Sequence, residues 1–290
     1  MFKFELDVLL FLQNIRTDIL NVLLQGITML GEEVVMVLVI AILYFCIDKK
    51  FAQKLFFVTV SSAGINGIIK NLVRFPRPFA TGKIICVRED TATGYSFPSG
   101  HTQTFASMST TIAKKLKKPL VTFLVGILIV LVAFSRMYLG AHYPSDVVVG
   151  AVLGVVLALI GTSLFDKVEN KKVLYLATII LLTPFAIMFL INPDEHFEDF
   201  YKIFGMLIGF LFAVMFEEKY APLEYNISWW KKVLRVVIGI VAALLIKEGI
   251  KVFNVFDSLR MNLVFDAFRY CALVFVTLGI CPWIFKKMKI

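Results

Sequence analysis

Three short polar stretches interrupt an otherwise apolar sequence between Lys70 and Asp146. The first runs from Lys70 through Arg74 to Arg77 and Pro78. The second is Pro98-Ser99-Gly100-His101. The third runs from Ser135 and Arg136 to His142 and Asp146. Together they supply two histidines, at least three fixed cations and one carboxylate. Such a set can cleave a phosphate ester without a metal. Cations neutralise the phosphoryl oxygens, one imidazole attacks or moves a proton, and the carboxylate orients an imidazole.

The spacing sharpens this chemistry. Lys70 and Arg77 are two helical turns apart, so a continuous helix would set both on one face. Pro76 and Pro78 disfavour that helix, so Arg77 is expected to swing back from a loop. Both residues could equally anchor a helix end at a membrane interface. Ser99 is a good N-cap, Gly100 allows close backbone approach, and a helix starting there presents free N–H groups to an anion. His101 sits one step inside that terminus, although for this stretch on its own a plain loop histidine is the better explanation. His142 and Asp146 are four apart, so one turn of helix can put the carboxylate against the imidazole and fix its tautomer. A simple helix cap by Asp146 is the alternative.

These stretches must be held by membrane-embedded elements. The chain has 290 residues, 59% of them hydrophobic, with mean hydropathy +0.83. Soluble domains are nearer half apolar, and apolar runs of about 20 residues suffice to cross a bilayer. The expected fold is all-α: a polytopic transmembrane helical bundle of about nine spans. These lie near 34–48, 51–73, 100–115, 119–138, 146–165, 172–191, 201–217, 232–252 and 263–285. Residues 5–30, broken by Gln13, Asn14, Arg16 and Asp18, read as an amphipathic helix lying at the interface. The expected organisation is a 1–33 interfacial segment, a 34–166 core with the three motifs, and 167–290 as additional C-terminal transmembrane helices.

Charge gives the orientation. Lysine clusters at 49–54, 114–118, 167–172, 219–232 and 286–289 fall on one side if all nine runs span, and the positive-inside rule makes that side cytoplasmic. Residues 74–99, 139–145, 192–200 and 253–262, and the N-terminus, then lie on the extracytoplasmic side. The net charge of +9 is explained by these anchors, so no nucleic-acid partner is expected. Cys46, Cys271 and Cys281 sit in apolar runs, Cys86 stands alone in a polar loop, and no metal-ligand spacing occurs. Residues 1–30 carry Asp7, Arg16 and Asp18 and do not read as a cleavable signal peptide.

The three motifs in order, Lys-x6-Arg-Pro, Pro-Ser-Gly-His and Ser-Arg-x5-His-x3-Asp, resemble the type 2 phosphatidic acid phosphatase superfamily, which includes the vanadium haloperoxidases. The resemblance covers about residues 70–146. It implies a helical core with the motifs meeting at one end, and phosphohistidine chemistry with no metal and no cofactor. It implies His142 as nucleophile, Asp146 as its orienting partner, and His101 as general acid and then base. Lys70, Arg77, Ser99, Gly100 and Arg136 would form the phosphate cradle. The expected activity is that of an integral-membrane, multi-pass lipid phosphate phosphatase acting on the extracytoplasmic face, in the cell membrane if the source is bacterial. Its expected partners are a membrane lipid phosphate and the bilayer. The alternatives are a phosphotransferase acting between lipids, and a non-catalytic lipid-binding or transport protein on the same scaffold. A haloperoxidase is disfavoured because its known forms are soluble.

The chain departs from simpler relatives in some 120 residues that follow the core. They carry Lys247, Glu248, Lys251, Asp257, Arg260, Asp266 and Arg269 near the expected outer face. Mutual ion pairing and headgroup binding are both open for that cluster. Extra C-terminal helices are also a feature of the long-chain sphingoid phosphate phosphatases, which the architecture faintly resembles.

Overall fold

A computed structural model describes residues 3–253 and 256–290, and all regular secondary structure among them is helical. The α-helices are α1 (Lys3–Asn14), α2 (Asp18–Thr28), α3 (Glu33–Ile42), α4 (Lys49–Val73), α5 (Gly100–Leu116) and α6 (Pro119–Tyr138). They continue with α7 (Pro144–Lys167), α8 (Lys171–Ile191), α9 (Glu198–Tyr220), α10 (Trp229–Lys251), α11 (Leu259–Phe275) and α12 (Cys281–Met288). The expected loop 253–262 includes residues 254 and 255, and the expected N-terminal segment includes residues 1 and 2. These four positions lie outside the described residues.

Six helical stretches are long and apolar enough to cross a membrane: Lys49–Thr81, Pro119–Tyr138, Pro144–Lys167, Lys171–Ile191, Glu195–Tyr220 and Leu259–Met288. A seventh arises if Asp18–Gly31 and Glu33–Ile47, bent by 53°, form one broken span. The expected count of nine is higher because the run 34–48 qualifies only as part of that bent pair and because two further helices miss these limits. One is α5, with 17 residues, many of them Ser, Thr and Gln. The other is α10, with lysines and arginine among its apolar residues.

The chain forms two compact units, Met1–Met36 with Ile65–Ser163, and Val37–Gly64 with Leu164–Ile290. In the first unit, α7 packs tightly on the start of α5. A Cβ at Gly150 would lie 2.7 Å from the Ser99 carbonyl oxygen, and one at Gly154 would lie 2.6 Å from that of Gln103. Only glycine allows this approach. The interior beneath is polar, with Ser96, Thr102, Gln103, Ser107 and Thr111 buried. Asn66 of α4 donates to Gln103 Oε1 at 2.8 Å and to the Pro98 carbonyl at 3.3 Å, which ties the third helix into this core.

The segment 5–30 breaks in two, because Thr17 caps α2 by accepting from the Leu20 N–H. Leu9 and Leu12 of α1 pack on Ile84 and Tyr143, while Phe4 and Phe11 stay exposed on the opposite side. Apolar side chains of α1 thus lie both against the core and on the exposed surface. The second unit is packed by aromatic rings. Phe56 stacks on Phe210 at 4.1 Å, and Phe189 meets Phe197 and Phe200.

Candidate active site

The first unit brings all three polar stretches together. Pro144 starts α7, and the turn before it places His142 beside the first residues of that helix. His142 Nδ1 lies 3.2 Å from Asp146 Oδ2, and both side chains are buried. The same carboxylate oxygen accepts from the Tyr143 N–H at 2.9 Å and from the Ser96 hydroxyl at 2.5 Å. Asp146 is therefore held from three directions, and its capping of the helix start coexists with its hold on the imidazole.

The other ring nitrogen faces a cation. His142 Nε2 is 3.1 Å from Arg77 Nη1. A guanidinium can only donate, so Nε2 must be the unprotonated, accepting nitrogen, and the ring proton sits on Nδ1 towards Asp146. Arg77 does fold back from a loop. Its Nε donates to the Gly94 carbonyl at 2.9 Å, its Nη1 to that of Ala141 at 3.1 Å, and its Nη2 to that of Thr93. Burial, then the charges of Arg77 and Arg136, hold the His142 imidazole well below its ordinary pKa of 6.5. At neutral pH the ring is neutral, and its Nε2 lone pair accepts from Arg77.

The remaining residues surround this pair. Lys70 ends α4, buried, and its ammonium would lie 3.9 Å from a Cβ at Gly100. The Ser99 N–H donates to the Asp146 carbonyl at 3.0 Å, which joins the second stretch to the third. Ser99 occupies the N-cap of α5, but its hydroxyl lies 3.1 Å from that of Thr102 and makes no capping bond, contrary to expectation. His101 stands in the first turn of α5, and its Nε2 is buried without a protein partner. Arg136 ends α6, fully buried, with Nε and Nη2 likewise unpartnered. A site with orphaned buried donors and no paired anion is arranged to receive an anion. Among the described residues, no group of three or more His, Cys, Asp or Glu side chains could hold a metal ion.

Four contributors are not legible in the motifs. Ser96 holds Asp146. Thr28 holds Arg136, accepting from Nη1 at 3.2 Å. Glu5 accepts from the Ser145 N–H at 2.9 Å at the start of α7. Arg16 donates to the carbonyls of Tyr138 and Ile85, at 2.9 and 2.8 Å. Only Ser96 had a signal, an uncharged hydroxyl next to the second motif.

The model of the PAP2 superfamily matches residues 51–170, and that of the PAP2 superfamily phosphatase transmembrane extension matches residues 201–290. The chain is 30% identical over 174 residues to Undecaprenyl-diphosphatase of Sulfolobus acidocaldarius, covering 59% of this chain and 82% of that one. It is 31% identical over 172 residues to Phosphatidylglycerophosphatase B of Bacillus subtilis, covering 54% and 81%. A transmembrane PAP2-type phosphatidylglycerolphosphate phosphatase from Bacillus subtilis, solved by crystallography, aligns with TM-score 0.49 at 25% identity over 57% of this chain and 86% of that one. The membrane helices and these relatives define the class, a membrane-embedded lipid phosphatase. The chain belongs to the PAP2 superfamily.

Proposed function

We propose that the protein hydrolyses a lipid phosphomonoester or diphosphate through a phosphohistidine on His142, at the extracytoplasmic face. The observation that carries this is the buried His142 ring, with Nδ1 on Asp146 and Nε2 unprotonated against Arg77. In the first step the Nε2 lone pair attacks phosphorus, the P–N bond forms and the bond to the leaving oxygen breaks. His101 gives its proton to that oxygen. The developing imidazolium charge is balanced by Asp146. Lys70, Arg77 and Arg136, with the backbone at Ser99 and Gly100, neutralise the equatorial oxygens. In the second step neutral His101 takes a proton from water, whose oxygen attacks phosphorus and breaks the P–N bond. Inorganic phosphate leaves and both histidines are restored.

The sidedness follows from charge. Within the first unit, α5 begins at the site and ends with Lys114 and Lys115, and α7 also begins at the site. The site thus lies at the end away from the lysines, which favour the cytoplasmic side. The names of the relatives support phosphorylated lipids as substrate class, and the lipid itself is the variable to be measured.

The test is phosphate release from isoprenyl diphosphate, phosphatidate, phosphatidylglycerol phosphate and sphingoid phosphate, with excess chelator present throughout. Wild type should turn over at least one lipid in chelator, and His142→Ala none. His101→Ala should lose roughly 10²–10⁴-fold on lipids, and less on p-nitrophenyl phosphate, whose leaving group hardly needs a proton. Near wild-type release by His142→Ala would overturn the nucleophile assignment.

A further inference from the structure

We propose that the turn from Thr28 to Glu32 is a wall of the active site, with Thr28 the positioning residue for Arg136. This turn precedes the residues matched to the superfamily, which begin at residue 51. The inference rests on the reading of Arg136 and His101 given above, and adds the element that sets them.

Three contacts leave this one turn. The Thr28 hydroxyl accepts from Arg136 Nη1 at 3.2 Å, with both residues fully buried. Gly31 lies against the first turn of α5, where a Cβ would meet the His101 carbonyl oxygen at 2.6 Å and its Cβ at 3.1 Å. Glu32 holds Arg88 Nη1 at 2.6 Å, and neither side chain is fully exposed. The turn therefore touches the phosphate-binding cation and the backbone of the proton-transfer residue.

The chemistry of Arg136 gives the contact its meaning. A guanidinium offers five N–H donors in a planar fork. Thr28 engages one terminal nitrogen, and the other two nitrogens have no protein partner despite full burial. A planar group tied at one end has its remaining donors fixed in direction. That suits two oxygens of a phosphoryl group, which an arginine binds best in a forked geometry. Without the Thr28 hydroxyl the fork loses its only protein anchor of that kind and can rotate away. Gly31 has the complementary task, since a larger residue would push the start of α5, and His101 with it, off its place.

A purely structural turn would lower stability and leave phosphate affinity alone, and the two roles separate in one experiment. Full-length wild type, Thr28→Val, Thr28→Ala, Thr28→Ser and His142→Ala are reconstituted in lipid bilayers. Inorganic phosphate binding, kcat, KM and thermal unfolding are measured on each. Thr28→Val and Thr28→Ala should weaken phosphate affinity and kcat/KM by about 10-fold, the scale of one hydrogen bond to a charged group, and Thr28→Ser should recover most of it. Thr28→Ala serves if valine prevents folding. Unchanged phosphate affinity in Thr28→Ala, or a Thr28→Ser as weak as Thr28→Ala, overturns the proposal. His142→Ala keeps the two readings apart: if it still turns over, the phosphohistidine mechanism fails, while phosphate binding still reports on Thr28.

Discussion

Among the described residues each unit buries two arginines, Arg77 and Arg136 in the first and Arg235 and Arg269 in the second, and Arg136 and Arg235 are treated differently. Arg235 of α10 donates through Nη1 to the carbonyls of Phe45 and Glu224 and through Nη2 to that of Ile290, at 3.2, 2.7 and 2.7 Å. Three segments of its own unit are stapled by one side chain. Arg136 has a single hydroxyl partner and two idle nitrogens. The surroundings follow the same division. The interior of the first unit is lined by Ser, Thr, Asn and Gln, and that of the second by stacked aromatic rings. The contrast is one of degree, since Arg235 keeps one buried unpartnered nitrogen, Nε, against two in Arg136, and Arg77 at the site is itself bound to three carbonyls. An unsatisfied buried cation costs stability and persists where binding an anion repays the cost.

The most direct way to break that contrast is to remove each arginine in turn. Arg136→Gln should lower kcat/KM by roughly 10²–10³-fold, the usual loss when one preorganised charge at a transition state is removed. Its thermal stability should stay the same or rise, since the idle donors go with it. Arg235→Gln should do the reverse, losing several degrees in Tm because three buried carbonyls lose donors, with kcat/KM per folded protein within about threefold of wild type. Equal losses of activity in both variants would mean that the contrast in partners does not mark the site.

The same comparison has a smaller, pH-dependent consequence. Burial, Arg77 and Arg136 keep His142 neutral well below pH 6.5. In the free enzyme, kcat/KM should therefore hold its His142-dependent plateau as pH falls through 6.5, and drop only at the lowered value. Arg136→Gln removes one of the charges, so its acid limb should move to higher pH. The stability linkage has a definite sign. Between the lowered pKa and 6.5 the unfolded chain binds a proton that the folded chain refuses, so this contribution is present above pH 6.5 and lost as pH falls through the lowered value. An acid limb that sits at or above pH 6.5 in wild type would contradict the neutral-imidazole arrangement.

The motifs and the membrane helices were legible because each is a local pattern. His142 and Asp146 are one helical turn apart, and apolar runs of bilayer length need no tertiary information. What was not legible is carried by contacts between distant positions. Ser96 meets Asp146 across 50 residues, and Thr28 meets Arg136 across 108. Thr28 does not differ by type or spacing from a solvated residue, and Ser96 is marked only by its place next to the second motif. The N-terminal segment shows the same limit. Gln13 and Arg16 read as the wet side of an interfacial helix, yet Gln13 accepts from the Ile85 N–H at 2.7 Å and Arg16 holds Tyr138 and Ile85. A polar residue facing water and one facing a loop's backbone give the same pattern in one dimension.

The smallest expected effect on turnover is in the charged cluster of the C-terminal helices, where ion pairing and headgroup binding were both open. Arg269 Nη2 lies 2.8 Å from Asp266 Oδ1, one turn away on α11, and both side chains are nearly fully buried. Arg260 donates to the Ile191 carbonyl at 2.9 Å. This favours pairing over recognition for Asp266 and Arg269, and places them with Arg235 in the stapled class. Removing one partner of a buried pair leaves an uncompensated charge, which typically costs roughly 3–5 kcal/mol, whereas replacing both by apolar residues of similar volume is often neutral or stabilising. Arg269→Met alone should therefore lower Tm sharply. Adding Asp266→Leu should restore it, with KM on every lipid of the panel unchanged. If the double variant is stable but its order of lipid preference changes, the pair reads the headgroup, and the assignment of Arg269 to structural pairing fails at that point.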